Sequence, residues 1–217
     1  MLALNVLNGE MTRALKEVLQ RVQRNLAVVH NGRHGAGAGV IWRADGLILT
    51  NNHVVQRGHI RVALDDGREF AARIVHADPE IDLALLRIEA DDLPPSSPVD
   101  SRGLRVGELV FAVGHPWGQR GYVTAGIVSG LGTAVTRGRR KSIPIVRSDV
   151  HLAPGNSGGP LVNAVGGVVG INTMIVGGDQ GVAIPSHLAD AFVQEYVGKT
   201  SPESKHMRAG QTRTEYI

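Results

Sequence analysis

The chain has no cysteine among its 217 residues. No disulfide can staple the fold, and no thiol can serve as nucleophile or metal ligand. That absence fits a reducing compartment. Aromatic residues are scarce, at 4%, so the core must be packed from Val, Ile, Leu and Ala. No apolar run reaches the roughly 18 residues that a membrane-spanning helix needs. Met1-Leu2-Ala3-Leu4-Asn5-Val6-Leu7 has no basic n-region and too short an apolar run for a signal peptide. A cytoplasmic location is therefore expected, with no membrane span. The net charge of +3 is mild and does not imply a nucleic-acid partner. His30 and His34 are separated by Asn31-Gly32, which breaks any helix that would put them on one face. With no Cys and no paired histidine motif, no metal is expected.

What the chain has in quantity is glycine, 28 residues, which suits many tight turns between short strands. With 42% hydrophobic residues, it can build one large β domain or two small ones. Residues 10 to about 24 read as a helix, with Met11, Leu15, Val18, Leu19, Val22 and Leu26 on one face. Residues 26–30 read as a first strand. The pattern then becomes β-like. Residues 38–42 and 47–50 flank the hairpin signal Asp45-Gly46. Residues 60–64, 70–75 and 83–88 follow. Pro94-Pro95-Ser96-Ser97-Pro98 interrupts the pattern as a connector. Residues 109–113, 122–129, 143–147, 161–163, 168–174 and 181–184 repeat the texture. Pro185-Ser186-His187 opens a last helix, with Ser186 as its cap and Leu188, Phe192 and Val193 facing inward. The polar tail from Lys199 reads as disordered. Many short strands without βαβ alternation give an all-β chain of two antiparallel barrels or sandwiches.

Three short segments carry chemistry. Gly155-Asn156-Ser157-Gly158-Gly159-Pro160 sets a serine in a glycine-lined turn where backbone N–H groups converge. His53 lies in Thr50-Asn51-Asn52-His53-Val54-Val55, and Asp82 opens Asp82-Leu83-Ala84-Leu85-Leu86. Taken singly, each has a bland reading: a glycine hairpin, a half-buried histidine, a turn-capping aspartate. Together they supply a nucleophile, a base and an orienting carboxylate. Ser157 needs His53 to take its proton, and Asp82 would fix the imidazole tautomer. Gly155 and Ser157 N–H would form the oxyanion hole, with Asn156 as a further candidate donor. His53 and Asp82 fall in the first half and Ser157 in the second, so the site is expected in the cleft between the halves.

The order His, Asp, Ser is that of chymotrypsin-type proteases, and the chain resembles the HtrA (Deg) serine protease domain. The resemblance rests on residues 50–55 and 82–85, on Val113-Gly114-His115-Pro116, on 123–129 and on 149–161. Gly170-Ile171-Asn172-Thr173 and residues 182–186 also fit. It covers about residues 11–197. It implies a chymotrypsin-like double six-stranded β-barrel with an N-terminal and a C-terminal helix. Residues 1–35 would hold the helix and first strand, 36–93 the first barrel, 94–104 the connector, 105–197 the second barrel and last helix, and 198–217 the tail. The implied activity is ATP-independent endopeptidase cleavage of unfolded or damaged proteins, in protein quality control, without a cofactor. His151 would stand near the floor of the pocket for the residue before the scissile bond, or point into solvent. Asn172, Thr173 and Met174 would pair with substrate backbone.

The chain also departs from the family. The family carries C-terminal PDZ domains, whereas a short polar tail follows the last helix here, so peptide-activated PDZ regulation is not expected in this chain. The family often trimerises through aromatic residues near its N-terminus, but residues 1–35 contain no Phe, Tyr or Trp. His115 stands where relatives often have a small or amide residue. The basic run Thr136-Arg137-Gly138-Arg139-Arg140-Lys141-Ser142 reads first as a solvated loop. A rival for the whole chain is a catalytically idle chaperone or scaffold of the same fold that binds unfolded chains. Another is a regulatory module that binds acidic partners through the basic run.

Overall fold

The structure, a computed structural model, describes residues 2–32, 35–56, 59–115, 121–135, 142–176 and 180–200, with backbone alone for 2–8, 35 and 174–176. The expectations for 136–141 and for the tail beyond Thr200 lie outside the described residues.

Two closed antiparallel barrels of six strands each make up the body. The first contains β1 (Leu26–Asn31), β2 (Gly35–Arg43), β3 (Leu47–Thr50), β4 (Ile60–Leu64), β5 (Glu69–Asp78) and β6 (Leu83–Arg87), in the order β1-β2-β3-β6-β5-β4. The second contains β7 (Leu109–Gly114), β8 (Tyr122–Val135), β9 (Ser142–Ser148), β10 (Pro160–Asn163), β11 (Val168–Val176) and β12 (Gln180–Pro185), in the order β10-β11-β12-β9-β8-β7. Each barrel has its own aliphatic core. Ile41, Ile48, Val62 and Leu86 fill the first, and Val110, Val128, Val146 and Leu161 the second. A third cluster joins them, running from Val22 and Leu26 through Trp42 and Leu85 to Phe111, Ile171 and Phe192. Burying one such aliphatic side chain contributes about 1.5–3 kcal/mol, so branched residues suffice where aromatics are few.

Helix α1 spans Leu2–Arg24, starting well before residue 10. Met11, expected on the buried face, is 68% exposed, while Val22 is buried and Leu15 and Leu19 are partly so. Leu26 belongs to β1 rather than to the helix. Gln23 Nε2 donates to Gly121 O at 2.7 Å and ties the end of α1 to the second barrel. The connector is fastened to both barrels: Ser96 N–H donates to Ile41 O at 2.7 Å, and Val168 N–H to Ser97 O at 2.8 Å. Helix α2 spans Ser186–Thr200. Ser186 does not cap it; its hydroxyl donates to Val99 O. Phe192 stacks on His76 of β5, with ring centroids 4.5 Å apart, so α2 touches the first barrel as well as the second.

The β2–β3 turn gives a pH-dependent contribution. Arg43 Nε donates to Asp45 Oδ1 at 3.2 Å, and Arg87 Nη1 lies 3.4 Å from Asp45 Oδ2. Burial raises the Asp45 carboxyl, but hydrogen bonds and charge from Arg43, then from Arg87, outweigh it and hold the group below its ordinary value. Because the folded-state value is the lower one, this stabilisation is present above the unfolded carboxylate's pKa. It is lost as pH falls through the depressed folded value. The Asp45 and Arg43 side chains are 41% and 45% exposed, so screening holds the effect to about 0.5 kcal/mol. Asp45→Asn is expected to lower the melting temperature by about 1–2 °C at neutral pH. In acid the two proteins should melt together, which thermal scans at several pH values would check.

Candidate active site

Asp82 holds an unusual backbone conformation, φ +56°, in the turn that enters β6. For a non-glycine residue this costs on the order of 1–3 kcal/mol and persists only when the surroundings over-determine it. They do so here. Asp82 O accepts from Asn52 N–H at 3.1 Å and from Asn51 Nδ2 at 3.0 Å. Its carboxylate accepts His53 N–H on Oδ1 at 2.9 Å. Oδ2 receives the His53 ring at 2.7 Å and the Thr173 hydroxyl at 2.6 Å. A carboxylate only accepts, so His53 Nδ1 is the donor of this pair, and in the neutral imidazole the lone pair then lies on Nε2. His53 itself sits on a single 3-10 turn, Asn52–Val55, at the end of β3. Its side chain is 44% exposed, open to an incoming group.

The serine comes from the second barrel. Its turn is stitched down on both sides. Ala38 N–H of β2 donates to Ser157 O at 2.8 Å, and Gly158 N–H to Asn172 O at 2.9 Å. Asn156 N–H turns back to Ala153 O at 3.0 Å, and Gly155 O accepts from His115 N–H at 3.2 Å. Of the three expected oxyanion donors, Asn156 is thus spent inside the turn. Gly155 N–H and Ser157 N–H have no hydrogen-bond partner among the described residues. Gly155 has φ +106°, which a glycine adopts at no steric cost. Ser157 Oγ donates to Thr173 O at 3.1 Å and makes no hydrogen bond to His53.

The other expected contacts divide. Thr173 is 6% exposed and bridges the site, its hydroxyl on Asp82 and its carbonyl under Ser157. Asn172 is 1% exposed, and its N–H and Nδ2 donate to Gly159 O and Pro160 O at 2.9 and 3.0 Å. It buttresses the serine turn from beneath rather than facing solvent. Met174 pairs with Val182 through the backbone, and its side chain lies outside the described residues. His151 is exposed between buried Val150 and Leu152, and its carbonyl accepts from Thr124 Oγ1 at 2.8 Å. No group of three metal-ligating side chains occurs among the described residues. Sequence reasoning missed the link from Thr173 to Asp82, because nothing local marks a threonine inside β11 as the partner of an aspartate 91 residues away.

Residues 37–171 match the family described as "Trypsin-like peptidase domain". The chain is 47% identical over 169 residues to a "Probable periplasmic serine endoprotease DegP-like" of Marinomonas sp. (strain MWYL1), covering 75% of this chain and 36% of that protein. A protein of the same description from Hahella chejuensis (strain KCTC 2396) is 48% identical over 159 residues, 70% of this chain and 34% of its own length. The chain thus spans about a third of these relatives. Among solved structures, "HtrA-type protease AlgW with tripeptide" superposes with a TM-score of 0.76 at 38% identity, covering 83% of this chain and 62% of that one. The decapeptide form of that protein gives 0.77 at 32% identity, covering 85% and 67%. The cytoplasmic expectation is corrected by these relatives, which are described as periplasmic. The expectation rested on the absence of a signal peptide and of a membrane span, and neither absence fixes a compartment; a chain without cysteine also folds in an oxidising one.

Proposed function

Because the chain belongs to the trypsin-like peptidase family, on its HtrA-type, DegP-like branch, we propose that it is a serine endopeptidase. Its substrates would be unfolded or damaged polypeptides, and it would use neither ATP nor a cofactor. The observation that carries this reading is Thr173, which holds Asp82 through its hydroxyl and Ser157 through its carbonyl. One residue thereby keeps the first barrel's carboxylate and the second barrel's nucleophile at a common point.

In the proposed reaction Ser157 Oγ swings from Thr173 O to His53 Nε2 and gives up its proton as it attacks the scissile carbonyl carbon. The electron pair of the C=O bond moves onto oxygen, and Gly155 N–H and Ser157 N–H stabilise the oxyanion. Asp82 Oδ2 stabilises the imidazolium. His53 then protonates the leaving amine as the C–N bond breaks, leaving an acyl group on Ser157. Water, deprotonated by His53, attacks the ester, and the proton returns to Ser157. An extended segment suits the site because its scissile carbonyl must reach a turn set between two barrels.

The test is to incubate the full chain with a fluorophosphonate, map the adduct by peptide mass spectrometry, and follow casein digestion before and after. The expected result is one adduct, on Ser157, with digestion stopped in proportion to labelling. Digestion that survives complete labelling, or an adduct elsewhere, would overturn the reading. Absence of both labelling and digestion, with suppression of client aggregation, would favour the idle chaperone.

A further inference from the structure

His115 is buried, 5% exposed, and its imidazole faces a donor. Gly121 N–H donates to His115 Nδ1 at 3.2 Å. A backbone N–H has no lone pair, so Nδ1 is the acceptor and the ring's proton sits on Nε2. The same Gly121 accepts through its carbonyl from Gln23 Nε2 at 2.7 Å, a contact spanning 98 residues of sequence. On the other side, His115 N–H donates to Gly155 O at 3.2 Å. Three hydrogen bonds therefore run in series from the end of α1 to the serine turn.

Gly155 is where that series acts. Its carbonyl direction fixes the plane of the Gly155–Asn156 peptide, and with it the Asn156 N–H that closes on Ala153 O. Gly114, next to His115, also touches this turn: a Cβ there would lie 2.3 Å from Asn156 Oδ1. Both links through His115, at 3.2 Å, are at the long end of the N–H···acceptor range.

We infer that His115 and Gln23 are positioning residues for the oxyanion turn: Gln23 seats Gly121, Gly121 orients the His115 ring, and the His115 backbone sets the Gly155 carbonyl. The inference rests on the reading of Gly155 and Ser157 N–H as oxyanion donors. Neither His115 nor Gln23 touches substrate, so both act through the placement of those donors. A misplacement of about 1 Å at a reacting centre can cost about 100-fold in rate, which gives so remote a series its leverage.

The test uses the full chain with Gln23→Ala, His115→Leu and His115→Asn, whose Oδ1 takes the place of Nδ1 as acceptor. Fluorophosphonate labelling rate and kcat and KM on a peptide substrate are read beside the amide resonances of Gly155 and Ser157. His115→Leu is expected to lower labelling rate and kcat about tenfold with KM unchanged, within the range that misplacement allows. Gln23→Ala is expected to lower them about fivefold, the worth of one typical net hydrogen bond, and His115→Asn to restore them. Wild-type rates in both Gln23→Ala and His115→Leu, or His115→Asn no better than His115→Leu, would overturn the inference while leaving the endopeptidase reading intact. If His115→Leu does not fold, Gln23→Ala decides alone. If wild type itself is not labelled, the endopeptidase reading fails, and the amides still decide the coupling: shifts at Gly155 and Ser157 in Gln23→Ala support it, and unmoved resonances overturn it.

Discussion

Ser157→Ala and His53→Ala are each expected to lower kcat about 10⁶-fold, and the double variant no further. The two side chains form one device. Without the hydroxyl, His53 has no proton to accept; without the imidazole, Ser157 stays a neutral alcohol and a poor nucleophile. What survives in each variant is the contribution of Gly155 N–H and Ser157 N–H together with substrate binding, about 10³–10⁴-fold over water. KM should change little, because neither group supplies much ground-state binding. The stability of Ser157→Ala should also change little. Ser157 Oγ gives up a single hydrogen bond, to Thr173 O, worth about 1 kcal/mol. Steady-state kinetics on the two single variants and the double variant would check this. Losses that multiply would mean that His53 and Ser157 act in separate steps, and the acyl-enzyme route would fall.

His53, Asp82 and Ser157, the proposed triad, stood out in the sequence because each lies in a compact local motif. Asp82 and Ser157 both occupy tight turns, and glycine spacing announces one of them. The short antiparallel strands were legible from the alternation of apolar residues and turn signals, which left barrels or sandwiches open until the family resemblance pointed to the double barrel, and the Asp45-Gly46 hairpin joins the strands it was expected to join. Two features escaped for physical reasons. Strand β8 runs on to Val135, beyond the expected end at Ser129. That part is held by its ladder with β9 rather than by burial, leaving Leu131 and Val135 47% and 69% exposed. With no buried face there is no period to read. The roles of Thr173, His115 and Gln23 escaped because each depends on a long-range hydrogen bond, and sequence spacing carries no information about such a contact.

Gly158→Ala is expected to be among the most damaging single-methyl changes in the chain, on the order of 3–5 kcal/mol. The backbone there has φ +85°, which costs an L-residue roughly 1 kcal/mol or more. The larger share comes from space. A Cβ at Gly158 would lie 2.2 Å from Ala38 O and 2.3 Å from Thr50 Oγ1. Neither neighbour is free to yield, because the Thr50 hydroxyl donates to Ala38 O at 2.7 Å, and Ala38 N–H holds Ser157 O at 2.8 Å. Relief would mean moving the serine turn off β2, which breaks that cross-barrel bond and the one from Gly158 N–H to Asn172 O. Overpacking costs about 1–3 kcal/mol, and each lost hydrogen bond about 1 more. For a chain of this size the melting temperature should fall by on the order of 10 °C. Gly107→Ala separates the two causes: Gly107 has φ +93° but nothing within 4 Å of its would-be Cβ, so it bears the backbone cost alone. Its loss should stay near 1 kcal/mol. If denaturant unfolding gave both variants the same loss, the approach of the two barrels at Gly158 would be soft, and the serine turn would not be held rigidly against the barrel that carries His53 and Asp82.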